Sequence, residues 1–359
     1  MTDAEAVPAD RAPERMKAAY CERYGPPEVV EIRDVARPTP SDGQVVVRVR
    51  AASVNRADLD GLKPKPGFVR FFMGLRAPRN HEVGIDAAGV VDAVGPGVTR
   101  FKPGDEVMTD LFASGRFGAF AEYVCAREKA FEPIPTGMSF EEAATLPHSA
   151  VLALQGMRLR NGRTFKPGDK VLIDGASGNV GPFAVQIAKA MGAEVTGVAS
   201  GDKLDFVRSL GADHVIDYET VDYTKAGERH DWIVAVDAHH SIRAVRRALK
   251  PNGVYLTMGG DTGTIFAALG GSLFMSRFGD KWSGLLIWWK PMHRPDVDTL
   301  KDLIGAGKLK PVIDRRYPLD EVVDALRWVE DGHARGKVII TFAGPSTDES
   351  SGQEASIGT

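Results

Sequence analysis

The sequence predicts an α/β protein in which a doubly wound parallel sheet is inserted into a β-rich unit. Three observations predict it. From about residue 140 to 258, short apolar strands alternate with helical patterns, as parallel strands joined by right-handed crossovers do. A glycine-rich run, Gly175-Ala176-Ser177-Gly178-Asn179-Val180-Gly181, stands between the first of those strands and its helix. Ahead of this stretch, from Val29 to about Glu132, the chain reads as short β-rich runs between turns.

Residues 45–50 alternate through Val47, Arg48, Val49 and Arg50, the period of a half-buried strand. Further strands are expected at 89–94, 106–108 and 120–125, separated by Gly95-Pro96-Gly97 and Pro103-Gly104-Asp105. Phe-Lys-Pro-Gly-Asp occurs at 101–105 and again at 165–169, each time before an apolar strand, and reads as one turn used twice. The strand 170–174 leads into a helix whose apolar residues Val180, Phe183, Ala184, Ile187, Ala188 and Met191 fall on one face, with Gly192 as its stop. A strand at 194–198, a helix at 203–210 stopped by Gly211, and a strand at 214–216 follow. Then come a strand at 232–236, a helix at 241–249 and a strand at 253–258. The C-terminal stretch predicts helices at 296–304 and 319–330 and strands at 312–313 and 337–342.

Composition narrows the function. The chain has 359 residues, 43% of them apolar and 26% charged, and 45 basic against 48 acidic side chains give a net charge of −3. That balance makes no case for nucleic acid or an anionic membrane as partner. Cys21 and Cys125 are the two cysteines, too few for a four-thiolate zinc site or a disulfide framework, and point to a reducing, cytoplasmic compartment. Residues 1–15 carry four acids and two arginines without an apolar run, unlike a signal peptide, and with 343–359 they read as disordered tails. The most apolar region, 262–289, has a longest uncharged stretch of 15 residues, short of the roughly 20 a spanning helix needs.

The chemistry concentrates in the glycine loop. It lies after a buried strand and opens an amphipathic helix, where unpaired N–H groups and the helix dipole favour phosphate. Gly178 and Gly181 allow backbone to approach a pyrophosphate and helix to pack on strand; Ser177, Asn179 and Val180 complete the loop. A dinucleotide site is expected here. At the end of the next strand, where a site for NAD places an acid, the sequence runs Ala199-Ser200-Gly201-Asp202-Lys203. A hydroxyl with a nearby lysine suits a 2′-phosphate and favours NADPH, with NADH the alternative because Asp202 can receive a ribose hydroxyl. The structural alternative is that Ser200 caps a helix and Lys203 is solvated.

Several motifs in order carry a family resemblance. Ala52-Ser53-Val54-Asn55-Arg56-Ala57-Asp58, Gly84-Ile85-Asp86-Ala87-Ala88-Gly89-Val90-Val91, Gly118-Ala119-Phe120-Ala121-Glu122-Tyr123-Val124 and the glycine loop resemble the medium-chain dehydrogenase/reductase superfamily, in its zinc-independent quinone oxidoreductase (zeta-crystallin-like) branch. Leu210 to Tyr218 and Gly336-Lys337-Val338 extend the likeness, which covers about 16–342. The resemblance implies a Rossmann sheet at 141–289 inserted in a GroES-like catalytic domain of 16–140 and 290–342, with the active site between them. It implies cofactor contacts at Gly178, Gly181, Ser200, Lys203 and Tyr218. It also implies a homodimer.

In the zinc enzymes related to this branch, a cysteine stands where this sequence has Asn55, and their Gly-His-Glu falls on Gly84-Ile85-Asp86, so Ile85 occupies a ligand position. His81-Glu82 imitates that motif in the wrong register. No metal is expected. Without a Lewis acid, oxidising an alcohol is hard, whereas hydride transfer to a quinone or an α,β-unsaturated carbonyl needs hydrogen-bond donors and a proton. Asn55 is the candidate donor at the cleft floor, with Asp58 orienting it or binding a lysine; alternatively Asn55 holds its own loop. Lys63 is a second electrostatic candidate or a solvated lysine. His148 and His239 are possible proton donors or merely satisfied histidines. The branch often carries tyrosine where this chain has Asp60, and threonine at Leu152. The run 265–289, with Phe266, Leu273, Phe274, Met275, Phe278, Trp282 and Trp288, reads as core, subunit interface or an aromatic wall for a flat apolar substrate. The expected activity is NADPH-dependent reduction of a small apolar or aromatic quinone or enone. The alternatives are an NADPH-binding regulatory module and a zinc-free alcohol or aldehyde oxidoreductase.

Overall fold

A computed structural model describes residues 14–64, 70–114, 117–159, 161–260, 263, 280–286 and 289–342. Both expected tails lie outside the described residues except for 14 and 15, and Arg15 already opens a strand. Of the aromatic run, Trp282 is described; Phe266, Leu273, Phe274, Met275, Phe278 and Trp288 are not.

The N-terminal half is β-rich, as its turns and alternation predict. Strand β1 (Arg15–Cys21) pairs antiparallel with β2 (Val30–Ala36), a hairpin the sequence reading did not resolve into strands. There follow β3 (Gln44–Val54), β4 (Asp86–Val94), β5 (Glu106–Asp110), β6 (Tyr123–Arg127) and β7 (Phe131–Pro133). The expected strand at 120–125 begins later because Phe120 is engaged elsewhere: its carbonyl accepts from Ala19 N and its amide donates to Val83 O. The repeated pentapeptide folds alike in both copies. Gly104 and Gly168 take φ of +94° and +85°, and Asp105 and Asp169 accept from the amides of Lys102 and Lys166 at 2.9 and 2.7 Å. Only glycine adopts that backbone without strain, so the turn is set locally.

The middle of the chain supplies β8 (Lys170–Asp174), β9 (Glu194–Ala199), β10 (His214–Asp217), β11 (His230–Ala235), β12 (Leu249–Thr257) and β13 (Trp282–Leu285). They form one parallel sheet in the order β10-β9-β8-β11-β12-β13. The order reverses between β8 and β11, the kind of switch point at whose carboxyl ends doubly wound sheets bind nucleotides. Helix Gly181–Ala190 packs its apolar stripe on this sheet; Phe183, Ala184, Ile187 and Ala188 are all buried. Gly192 and Gly211, the expected stops, have φ of +87° and +101°.

The C-terminal strands return to the first unit. β14 (Ile313–Pro318) pairs with β15 (Lys337–Thr341), and β15 lies antiparallel to β3. Chain ends therefore build one seven-stranded sheet around which the parallel sheet is an insertion. Two short segments at the junction escaped the sequence reading. One is helix Arg56–Leu62, and the other is a π-helical turn, Leu146–Ala150, in which Val151 N reaches back to Leu146 O. Pro147 leaves no amide in that turn's start, which suits the widened coil.

Candidate active site

The glycine loop is held from three sides. Ala176 N donates to Val198 O at 2.9 Å, Gly336 N donates to Ser177 O at 3.1 Å, and Asn179 Nδ2 donates to Val54 O at 3.0 Å. A side chain at Gly181 would put Cβ 2.2 Å from Gly175 O, so only glycine lets the helix start this close to the loop. Gly178 faces open space instead. Val180 at the helix N-terminus supplies no side-chain cap to the first turn, in which Pro182 has no amide to satisfy.

At the end of β9 lies a cavity of about 450 Å3 whose lining includes Ser200, Lys203, Tyr218, Arg315, His333 and Arg335, together with the acids Asp202, Glu219 and Asp314. Ser200 Oγ donates to Asp202 Oδ1 at 2.6 Å, and Arg335 Nη2 donates to Asp202 Oδ2 at 3.2 Å. Ser200 precedes a 3-10 turn without capping it through its side chain, so the capping alternative does not hold. Lys203 is not solvated either. It is 8% exposed, and Nζ donates to Gly332 O and Ala334 O; burial lowers its pKa. Tyr218 stands 58% exposed at the rim. Arg335, His333 and Arg315 were missed from sequence because they lie more than a hundred residues beyond Ser200 and reach it only through the β14–β15 return.

The second group of expected residues meets where the two sheets adjoin. Asn55 is 1% exposed, and both donors of its amide are engaged, with Ser53 O at 3.2 Å and Asp86 Oδ2 at 3.0 Å. Its Oδ1 accepts from Ser149 Oγ at 3.1 Å and from Lys337 Nζ at 2.5 Å. This corrects the expectation of a free donor at the cleft floor: Asn55 is a strut, because its four hydrogen-bonding positions are filled by the protein. Asp58 Oδ2 accepts from Asn55 N at 2.7 Å and so fixes the start of helix Arg56–Leu62; no lysine among the described residues bonds it. Lys63 pairs with Glu330 instead. His239 pairs at 3.1 Å with Asp237, both exposed, and His81 Nδ1 meets Cys21 O at 3.2 Å.

Lys337, which the sequence reading quoted only within a motif, is 0% exposed and stands 3.9 Å from Asp86 Oδ2. Three buried carboxylates surround it. Burial raises the Asp58 pKa to about 8 and raises that of Asp86, with Asp110 adding repulsion, while burial brings Lys337 down to about 8. His148, on the π-helical turn, bonds Asp110 Oδ2 through Nδ1 at 3.1 Å. Burial opposes its charged form, but the bond to Asp110 and the charges of Asp110 and Asp86 outweigh it, and its pKa rises.

The residues do not fit the zinc site of the related zinc enzymes. Ile85 is a fully buried hydrocarbon and the Asn55 amide is saturated. Side-chain atoms of Asp86, Asp110 and His148 do lie within 4.8 Å of one another, but His148 is bonded to Asp110, Asp86 accepts from Asn55 and Ser53, and the Lys337 ammonium faces Asp86. No step of the chemistry below passes through a metal.

Comparison with known proteins agrees with this architecture. Residues 41–136 match the alcohol dehydrogenase GroES-like domain family, and residues 210–340 match the zinc-binding dehydrogenase family. The chain is 32% identical over 310 residues to the chloroplast envelope quinone oxidoreductase homolog of Arabidopsis thaliana, covering 84% of this chain and 91% of that one. It is 30% identical over 345 residues to the NADPH-dependent alkenal/one oxidoreductase, chloroplastic, of the same plant, covering 93% and 82%. Among solved structures, the quinone oxidoreductase from Coxiella burnetii superposes with a TM-score of 0.80 at 28% identity, over 92% of this chain and 100% of that one.

Proposed function

This chain belongs to the medium-chain dehydrogenase/reductase superfamily, in its quinone-oxidoreductase-like branch, and from that premise we propose that it is an NADPH-dependent, zinc-independent reductase of quinones or α,β-unsaturated carbonyls. Some of its relatives are NAD(P)H or NADPH oxidoreductases by name and others quinone oxidoreductases, and the chain is an NAD(P)H-dependent reductase of the same superfamily. The observation that carries the choice of NADPH is the cavity at the end of β9, where Lys203, Arg315 and Arg335 converge with Ser200 and Tyr218. A 2′-phosphate carries up to two negative charges and takes charge-assisted hydrogen bonds from such groups.

The pyrophosphate is assigned to the loop of Ser177, Gly178, Asn179, Val180 and Gly181, where open space at Gly178 and uncapped first-turn amides favour it. Bound so, the reduced nicotinamide supplies a hydride. Asn55 and Asp58 act as positioning residues: through Val54 O and the Asn179 amide they tie the catalytic sheet to the phosphate loop. Reduction of an already polarised π-system fits a site built of hydrogen-bond donors rather than of metal ligands. Quinones, a methylene-furanone and alkenals or alkenones are the acceptors named for relatives, and a small, flat quinone or enone is the acceptor proposed here. A homodimer joined through β13, the outer strand of the parallel sheet among the described residues, is part of the same proposal, since a strand at a sheet edge favours pairing. Cytoplasmic residence is also part of the proposal, supported by the presence of only two cysteines.

The test is NADPH oxidation by purified protein, followed by nicotinamide absorbance, with a benzoquinone and separately with cyclohexenone, and NADH as comparator. Turnover with NADPH and little with NADH is expected. Tight NADPH binding without turnover on either acceptor would turn the reading to a binding module, and no binding of either nucleotide would end it.

A further inference from the structure

His148 and Trp289 stand together at the place where the polar cluster meets an aromatic surface. Their rings are edge-on with centroids 4.8 Å apart, and Phe112, 45% exposed, lies 5.4 Å from Trp289 and 6.4 Å from His148. The two residues are brought from distant parts of the chain, one on the π-helical turn and one beyond β13. Two features of this pair are unexplained by packing. The indole Nε1 of Trp289 is buried and meets no acceptor among the described residues. A buried N–H left unpaired is costly, so such a group is usually satisfied by a ligand or water. His148, for its part, uses Nδ1 on Asp110, and Nε2 carries no bond among the described residues while the imidazole keeps 11% of its surface open.

Together these are the parts of a site for a developing oxyanion: one fixed neutral donor and one donor that can release its proton. We propose that Trp289 and His148 form the carbonyl-oxygen site of this chain, the indole N–H holding the oxygen and His148 Nε2 delivering the proton to it, with Asp110 as the positioning residue. The inference rests on the reductase reading above and names its proton donor. The balance is simple. A hydride from the reduced nicotinamide dinucleotide adds to the β-carbon of an enone, the alkene electron pair moves to make the Cα–C bond double, and the carbonyl electrons go to oxygen. The N–H bond of His148 then breaks as the O–H bond forms. The enol becomes the saturated ketone, and the imidazole recovers a proton from solvent. Asp110 keeps the Nδ1 proton in place, so the nitrogen that gains and loses the proton is Nε2. The other titratable groups facing His148 are Asp86, whose carboxylate accepts from the His148 amide at 3.3 Å, the buried Asp58, and Lys337, which opposes protonation.

His148→Asn, Asp110→Asn and Trp289→Phe test this. Asparagine can keep an amide near Nδ1 for Asp110 but has no group at Nε2, and phenylalanine keeps the ring contact without the N–H. All three should bind NADPH with the wild-type Kd, the control for folding. In the wild type with cyclohexenone, kcat is expected to fall on the alkaline side as His148 loses its proton. His148→Asn should lower kcat by about 10²-fold or more and abolish that limb, and Trp289→Phe should lower kcat/KM by roughly tenfold with the limb retained. Two readouts need no turnover. In cofactor-free protein, the His148 imidazole resonances should titrate at higher pH in the wild type than in Asp110→Asn, and cyclohexenone should shift one indole N–H signal that Trp289→Phe removes. An unchanged kcat and alkaline limb in His148→Asn, or an indole signal indifferent to the enone while the wild type turns it over, would overturn the assignment and leave the reductase reading standing. An inert wild type whose Trp289 signal still moves would defeat the reductase reading and support the oxygen site.

Discussion

Arg335 offers the sharpest test of cofactor choice, because its removal should affect one nucleotide and not the other. Its guanidinium is half exposed (49%), and in the protein alone it bonds Asp202 Oδ2 at 3.2 Å and Asp202 O at 3.3 Å. A hydrogen bond to a charged group is worth about 1.5–3 kcal/mol when sheltered. Solvent screening at this exposure, and the need to leave Asp202 for the phosphate, bring the net gain to about 1 kcal/mol. Since about 1.4 kcal/mol is a factor of ten, Arg335→Gln should raise the Kd of NADPH roughly fivefold. The Kd of NADH should stay the same, and the salt dependence of NADPH binding should become shallower. Asp202→Asn moves affinity the other way. It frees Ser200 Oγ and Arg335 and removes a like charge beside the phosphate, so NADPH should bind several-fold more tightly and more selectively over NADH. Fluorescence titration with both nucleotides at two salt concentrations measures all of this. Equal weakening of NADPH and NADH in Arg335→Gln would mean that the arginine only braces its loop, and no change in either would remove the 2′-phosphate from this cavity.

Other consequences are as direct. Asp58 is ordinarily ionised above a pKa of 3.8, yet in the fold its value rises to about 8. The folded state therefore holds a proton that the unfolded chain has released between about pH 4 and pH 8, so stability falls as pH rises through that window. A urea midpoint that declines from pH 5 to pH 8 in the wild type, and declines less in Asp58→Asn, is the expected result; parallel slopes would show that Asp58 is not the group responsible. Prolonged dialysis against a chelator should leave enone or quinone turnover intact, with metal well below one equivalent by elemental analysis. Activity that is lost with a stoichiometric metal and restored by it would contradict the zinc-independent reading.

Local signals explain why so much of the fold was legible. The helix Gly181–Ala190, its stop at Gly192 and the twin turns at Gly104 and Gly168 depend on residues a few positions apart and on backbone angles that glycine alone tolerates. The glycine loop is of the same kind, because the close approach at Gly181 and the open space at Gly178 are both properties of one strand, one turn and one helix. The parallel pairing of the strands followed from the alternation of strand and helix together with the handedness of crossovers, whereas their order, reversing between β8 and β11, came from the structure. Where sequence reading misplaced an edge, as at Phe120, a long-range backbone bond had taken the residue.

The polar cluster is of a different kind. Sequence alone determined that a glycine-rich loop joins the first strand of the parallel sheet to its helix, that a serine and a lysine follow the second strand, and that neither cysteine nor histidine stands at Asn55 or Ile85. It named Asn55 for a donor because asparagine can donate. Only tertiary structure decided that both of its amide hydrogens are engaged by Ser53 and Asp86, that Lys337 is buried against it, and that Arg335 faces Ser200. The same holds for Trp289, whose orphaned indole meets His148 although 141 positions separate them. Helical and strand patterns report which face of a segment is buried, but a buried hydrogen bond depends on what the opposing segment presents. In this protein the opposing segments are joined by strand pairing between β15 and β3 and by the return of the chain after the parallel sheet, contacts that no local periodicity encodes.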